Sequence, residues 1–178
     1  MGNSKPNPIL NISSQKLREN LKLFKKISGN TEIGCVLKAN AYGCGVQTVT
    51  EFLNKEGIKT FFFATHDEAT KALKFIKRKS VVYVLSDFWE PNKKYKGTEI
   101  ISVISTEKQM KKILKKPKDI NGTKLAFHLD CGLNRFGINN FEALKKTVEK
   151  VLKKNPSDIL ILAHLSHADC SKSTENII

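Results

Sequence analysis

The chain has 178 residues, 31 Lys+Arg against 17 Asp+Glu, a formal net charge of +14, 40% hydrophobic residues and 27% charged residues. That apolar content excludes a disordered chain, and no apolar run approaches the roughly 18–20 residues that span a bilayer. The polar start from Met1 to Pro8 does not read as a secretory signal, and the length suits one domain with a sizeable core.

In chain order, residues 1–8 are expected to form a flexible tail. Helical spacing begins after Ser13 and Ser14, with Leu17, Leu21, Phe24 and Ile27 on one face, and stops near Gly29. Ile33 to Leu37 predicts a strand closed by Lys38. Val46, Val49, Phe52 and Leu53 predict a helix ending at Gly57, followed by a strand from Thr60 to Ala64. Thr65 with Glu68 makes a capping box for a helix carrying Ala69, Ala72, Leu73 and Ile76. Val81 to Leu85 reads as a buried strand, 86–98 as a loop, and Ile100 to Ile104 as the fourth strand. Thr106 with Gln109 caps a Lys-rich helix that ends before Pro117. Leu125 to Leu129 is the fifth strand. Asn140 precedes a helix bearing Phe141, Leu144, Val148, Val151 and Leu152, and Ile159 to Ala163 is the sixth strand.

Short apolar strands alternating with amphipathic helices predict a parallel sheet covered by helices. No G-x-G-x-x-G follows any strand, which disfavours an open dinucleotide-binding sheet. A (β/α)8 barrel needs eight units and about 250 residues. The expected class is therefore α/β, a partial TIM barrel of about six βα units over residues 9–178. Because Ser171 to Ile178 begins what reads as a further helix, a truncated chain is expected.

The basic balance raises nucleic acid as a partner. Arg, the residue suited to reading bases, occurs only at 18, 78 and 135. The lysines fall at helix-face spacing, as in Lys71, Lys74 and Lys77, and so read as solvated surface. A basic nucleic-acid-binding module stands as the alternative of another class, resting on charge alone; the expected partners are small molecules, with no nucleic acid and no membrane. Cys35, Cys44, Cys131 and Cys170 form no C-x-x-C pair and read as reduced thiols in the cytoplasm.

Active sites of such folds lie at the C-terminal ends of the strands. Lys38 ends an apolar strand, where desolvation disfavours the ammonium and favours an amine able to form a Schiff base; the bland alternative is a snorkelling side chain. Tyr42 with Gly43 and Gly45 offers a phenol and permissive backbone for a phosphate, or merely a turn into the next helix. Arg135, between Gly132 and Gly137, suits a carboxylate or phenolate oxygen, or pairs with Asp130. His164 can stack on a flat ring. The set His164-x-x-His167 with Asp169 and Cys170 has poor geometry for a metal, and no metal is expected.

Three segments together resemble the alanine racemases. Lys38-Ala39-Asn40-Ala41-Tyr42-Gly43-x-Gly45 resembles their pyridoxal-phosphate lysine motif. Asp130-x-Gly132-Leu133-Asn134-Arg135-Phe136-Gly137 is similar to their second signature, and Ala163-His164-Leu165-Ser166-His167-Ala168-Asp169 to their sixth-strand motif. The resemblance implies a barrel cut off after strand six, without the C-terminal β-domain, and pyridoxal 5'-phosphate as cofactor. It implies that Lys38 carries the cofactor covalently and is the base on the D-alanine face. Tyr42 would contact the phosphate, Arg135 the phenolic oxygen and the substrate carboxylate, and His164 the pyridine ring. The implied activity is interconversion of L- and D-alanine for peptidoglycan precursors, by a homodimer in which the partner's β-domain supplies the second base, a tyrosine. This chain alone is then expected to be inactive. A stand-alone cofactor-handling barrel is the alternative within the same cofactor class. His128 stands where many members carry a carbamylated lysine that orients the arginine, and Cys44 and Cys131 replace a usual His and Thr.

Overall fold

A computed structural model of the chain describes residues 9–86, 94–95, 98–115, 124–154 and 158–166. The tail 1–8, most of the loop 86–98, and His167, Asp169 and Cys170 lie outside the described residues.

Six parallel strands form a half-barrel. They are β1 (Gly34–Val36), β2 (Thr60–Phe63), β3 (Val81–Val84), β5 (Thr98–Ile104), β6 (Leu125–Leu129) and β7 (Ile159–Ala163), adjacent in that order. Every neighbouring pair runs parallel, with Cys35 opposite Phe61, Phe61 opposite Val82, Val82 opposite Ile100, Val103 opposite Ala126 and Ala126 opposite Leu160. A two-residue β4 (Lys94–Tyr95) pairs antiparallel with β5 inside the segment expected to be a loop. Its brevity, with Gly97 just before Thr98, gave no alternating pattern to find.

The helices are α1 (Ser14–Ser28), α3 (Val46–Lys55), α4 (His66–Ala72), α5 (Glu107–Lys115) and α6 (Phe141–Lys154), with a short turn, α2 (Lys38–Tyr42), directly after β1. Side chains cap them where the sequence places the signals. Ser13 Oγ accepts from Lys16 N, Thr65 and Glu68 form a capping box, Thr106 Oγ1 accepts from Gln109 N, and Asn140 Oδ1 accepts from Ala143 N. Helix α4 stops at Ala72, short of the expected Ile76. The next bonds tighten to i−3, Phe75 N donating to Ala72 O and Ile76 N to Leu73 O. Ile76 is buried nonetheless, so its spacing reported burial rather than helix.

Successive strand residues face opposite sides of the sheet. Phe61, Phe63, Val82 and Val84 pack outward on α3 and α4, through Leu53, Ala69 and Ala72. Phe127, Leu125 and Leu129 pack outward on α5 and α6, through Met110, Ile113, Leu144 and Val151. Ile101, Val103 and Ala126 form a separate inner cluster with Tyr83, Leu160 and Leu162, the filling of the barrel interior. Phe62 stacks on Tyr83 on the same inner face, ring centroids 4.9 Å apart. Covering both faces buries β5 and β6 along almost their whole length, the polar Ser102 and His128 included. Among the described residues, no helix is long and apolar enough to cross a membrane.

Candidate active site

The C-terminal ends of the strands open into one cleft of about 390 Å³, lined by Lys38, Tyr42, His128, Arg135 and His164 together with apolar inner-face residues such as Phe62 and Leu162. All four sequence-predicted site residues line it. They arrive from three places: the turn after β1, the loop after β6 and the end of β7. An amine, a phenol, a guanidinium and an imidazole around a cleft of this size suit a small, flat, anionic carbonyl compound.

Lys38 is half-buried, and its Nζ stands 5.8 Å from the centroid of the Tyr42 ring. That contact is worth about 0.5–1 kcal/mol at an exposed aromatic, and Tyr42 is 63% exposed. The two meet because α2 is a left-handed turn. Ala39, Asn40, Ala41 and Tyr42 have φ of 50, 55, 55 and 54°. Four consecutive non-glycine residues of this hand cost roughly 4–8 kcal/mol at 1–2 kcal/mol each. Surrounding bonds hold them. Ala41 N donates to Leu37 O (3.0 Å), Gly43 N to Ala39 O (2.9 Å), Cys44 N to Ala41 O (3.1 Å) and Gly45 N to Asn40 O (2.9 Å), while Asn40 Oδ1 accepts from Val46 N (2.8 Å). The amides of Gly43, Cys44 and Gly45 are already bonded within the turn, which leaves the Tyr42 phenol facing the cleft.

Arg135 rides an exposed loop organised by Asp130. Asp130 Oδ1 accepts from Gly132 N (3.2 Å) and Asn134 N (3.1 Å). Among the described residues Asp130 forms no ion pair with Arg135, so the guanidinium is not spent on its neighbour. His164 is exposed at the end of β7, and its carbonyl accepts from the buried Cys131 thiol (3.2 Å). Cys35, Cys44 and Cys131 are free thiols.

His128 lies on the inner face of β6, 7% exposed, and neither ring nitrogen has a hydrogen-bond partner among the described residues. Burial pushes its pKa below the ordinary 6.5; His164 and Arg135 push the same way and Asp130 opposes them. A buried imidazole with two idle nitrogens has no sequence signal of its own, because its possible partners sit on strands that neighbour it only after folding. The sign of its effect on stability is fixed. Between its folded pKa and 6.5 the unfolded chain binds a proton that the folded chain refuses, so stability is full above about 6.5 and falls as pH drops through that window. Urea unfolding at pH 7.5 and 5.5 should show this loss in the wild type and a flatter dependence in His128→Leu; an equal pH dependence in both would place the titrating group elsewhere.

Residues 12–177 match the family described as alanine racemase, N-terminal domain. The alanine racemase of Rhizobium meliloti (strain 1021) is 27% identical over 161 residues, covering 90% of this chain and 42% of the relative. The biosynthetic alanine racemase of Agrobacterium fabrum is 27% identical over 168 residues, covering 94% and 43%. The crystal structure of alanine racemase from Bartonella henselae with covalently bound pyridoxal phosphate superposes with a TM-score of 0.75 at 21% identity, covering 93% of this chain and 48% of that one. The Acinetobacter baumannii alanine racemase gives 0.71 at 24% identity, again covering 93% and 48%. Both superpositions show a shared fold, and the chain spans less than half the length of each of these relatives.

Proposed function

Because the chain belongs to the alanine racemase N-terminal domain family, we propose that it is the cofactor-bearing part of a pyridoxal-phosphate-dependent isomerase that interconverts L- and D-alanine. The observation that carries this reading is the convergence of Lys38, Tyr42, Arg135 and His164 on one cleft at the C-terminal end of a half-barrel. The donor set fits the cofactor: an amine for its aldehyde, a phenol for its phosphate, a guanidinium for its phenolic oxygen and an imidazole to pack on its ring. When bound, pyridoxal phosphate supplies an electron sink that acidifies the α-carbon of the amino acid.

The chain's own groups do the rest. Lys38 Nζ would hold the cofactor covalently at rest and, once displaced by the substrate amine, would be the free amine that exchanges the α-proton on the D-alanine face. Tyr42 would offer its phenol to the phosphate. Arg135, which lines the cleft and forms no ion pair with Asp130, would donate to the substrate carboxylate and the cofactor's phenolic oxygen. His128, whose burial pushes its pKa below the ordinary 6.5, lines the same cleft as Arg135. Inversion needs a second base on the opposite face, and these residues assign none. The chain by itself is therefore read as cofactor-competent and catalytically silent, a second base having to come from outside these residues. Supply of D-alanine for peptidoglycan in the cytoplasm is the role that reading implies, and free thiols at Cys35, Cys44 and Cys131 are consistent with that compartment.

Titrating the chain with pyridoxal phosphate should give a saturable visible absorbance band, while incubation of the loaded chain with L-alanine should yield no D-alanine on a chiral column. Lack of any band would remove the cofactor assignment. Formation of D-alanine would overturn the one-base reading.

A further inference from the structure

The left-handed turn after β1 has an anchor far away in sequence. Glu68, third residue of α4, is half-buried and uses both carboxylate oxygens. Oε1 accepts from Ala39 N at 2.8 Å, and Oε2 accepts from Ala64 N at 2.9 Å and, more weakly, from Thr65 N at 3.4 Å. Ala39 is the first strained residue of the turn, with φ 50°, and it directly follows Lys38. Ala64 directly follows β2, the strand paired with β1. One carboxylate therefore ties the ends of two adjacent strands to the head of α4, at the rim where the cleft opens.

We propose that Glu68 is a positioning residue: by holding the Ala39 amide it keeps the chain in the left-handed turn and so sets where the Lys38 amine and the Tyr42 phenol stand. The assignment deepens the reading of that cleft as a cofactor site and rests on it. The capping box alone does not require it, since an N3 glutamate needs only the Ncap amide, here the longest of the three bonds. The charge-assisted bond goes instead to an amide 29 residues away. Glutamine keeps the length but loses the charge, and its N–H₂ group meets an N–H donor on one side, so neither strand end keeps the charge-assisted bond that holds it.

The test compares Glu68→Ala, Glu68→Gln and Thr65→Ala in the whole chain. Thr65→Ala removes the other half of the capping box, the bond from Glu68 N to Thr65 Oγ1, and leaves the Glu68–Ala39 bond in place. Amide hydrogen exchange read by NMR should rise at least tenfold at Ala39, Ala41, Gly43 and Gly45 in both Glu68 variants and less than threefold in Thr65→Ala. With pyridoxal phosphate as probe, the concentration for half-maximal adduct should rise at least tenfold in the Glu68 variants and less than twofold in Thr65→Ala. Adding Ala39→Gly to Glu68→Gln, which removes the Cβ that opposes a φ of 50°, should recover at least threefold of the lost affinity. Glu68→Gln keeps the comparison decisive should the alanine variant not fold. Unchanged exchange over 39–45, or equal losses in the Thr65 and Glu68 variants, would overturn the assignment. Absence of an adduct in the unaltered chain would remove the cofactor reading instead, while the exchange comparison still judges Glu68.

Discussion

Lys38→Ala is expected to abolish the visible band that the chain acquires with pyridoxal phosphate, and to leave nothing for borohydride to trap on the protein. Among the described residues that line the cleft, Lys38 is the only lysine, so no neighbouring amine can substitute. Its fold contribution is small. The side chain is half-buried and its recorded contact is the face of an exposed Tyr42 ring, so the variant should unfold within about 0.5–1 kcal/mol of the wild type. Loss of the band is then chemical rather than structural. Lys38→Arg should fail equally, because a guanidinium keeps its proton and is no nucleophile at neutral pH. An added small primary amine should restore part of the absorbance by supplying the missing group to the empty end of the cleft. A band that persists in Lys38→Ala, or a trapped label on another lysine, would separate the cofactor from this cleft.

Most of the architecture was legible because burial leaves a direct trace. Leu125–Leu129 and Ile159–Ala163 stand where their apolar runs predict, and α1 runs from the Ser13 cap to Gly29. These signals are local: a side chain two to four residues away decides them. The three site segments were legible for a related reason, since a polar residue directly following an apolar strand in a parallel sheet has one place to go. What stayed hidden depends on distant partners. Ala39-Asn40-Ala41-Tyr42 contains no glycine, and two alanines argue locally for a right-handed helix. The left-handed turn exists because Glu68, 29 residues on, and Leu37 O hold its amides. Glu68 itself read as half of a capping box, which is true and incomplete. His128 gave no sign of its idle nitrogens, because satisfaction of a buried imidazole depends on strands that neighbour it only after folding.

Gly137→Ala is expected to be the most damaging single-methyl change in the loop that carries Arg135. Gly137 has φ 120°, a conformation L residues rarely take. A Cβ there would stand 2.5 Å from Asp130 N, 2.9 Å from Asp130 Cα and 2.9 Å from Leu129 C. All three are backbone atoms at the end of β6, so no flexible side chain can yield. The loop closes on that strand through two bonds, Asp130 N to Ile138 O at 3.1 Å and Ile138 N to His128 O at 2.7 Å. Pushing residue 137 away opens both and exposes Ile138, which is 2% exposed. Conformational strain of about 1–3 kcal/mol and a comparable overpacking term suggest a loss of about 3 kcal/mol or more, a large part of the roughly 5–15 kcal/mol that holds a domain together. Gly132→Ala in the same loop is the control. Its φ is 100°, but the nearest atom to a new Cβ is Ser166 Oγ at 3.6 Å, so only the conformational part, about 1–3 kcal/mol, applies. Urea midpoints of the two variants should therefore separate clearly, with Gly137→Ala the lower. Equal midpoints would mean that the close approach to β6 does not govern the loop, and that Arg135 is held by the Asp130 carboxylate alone.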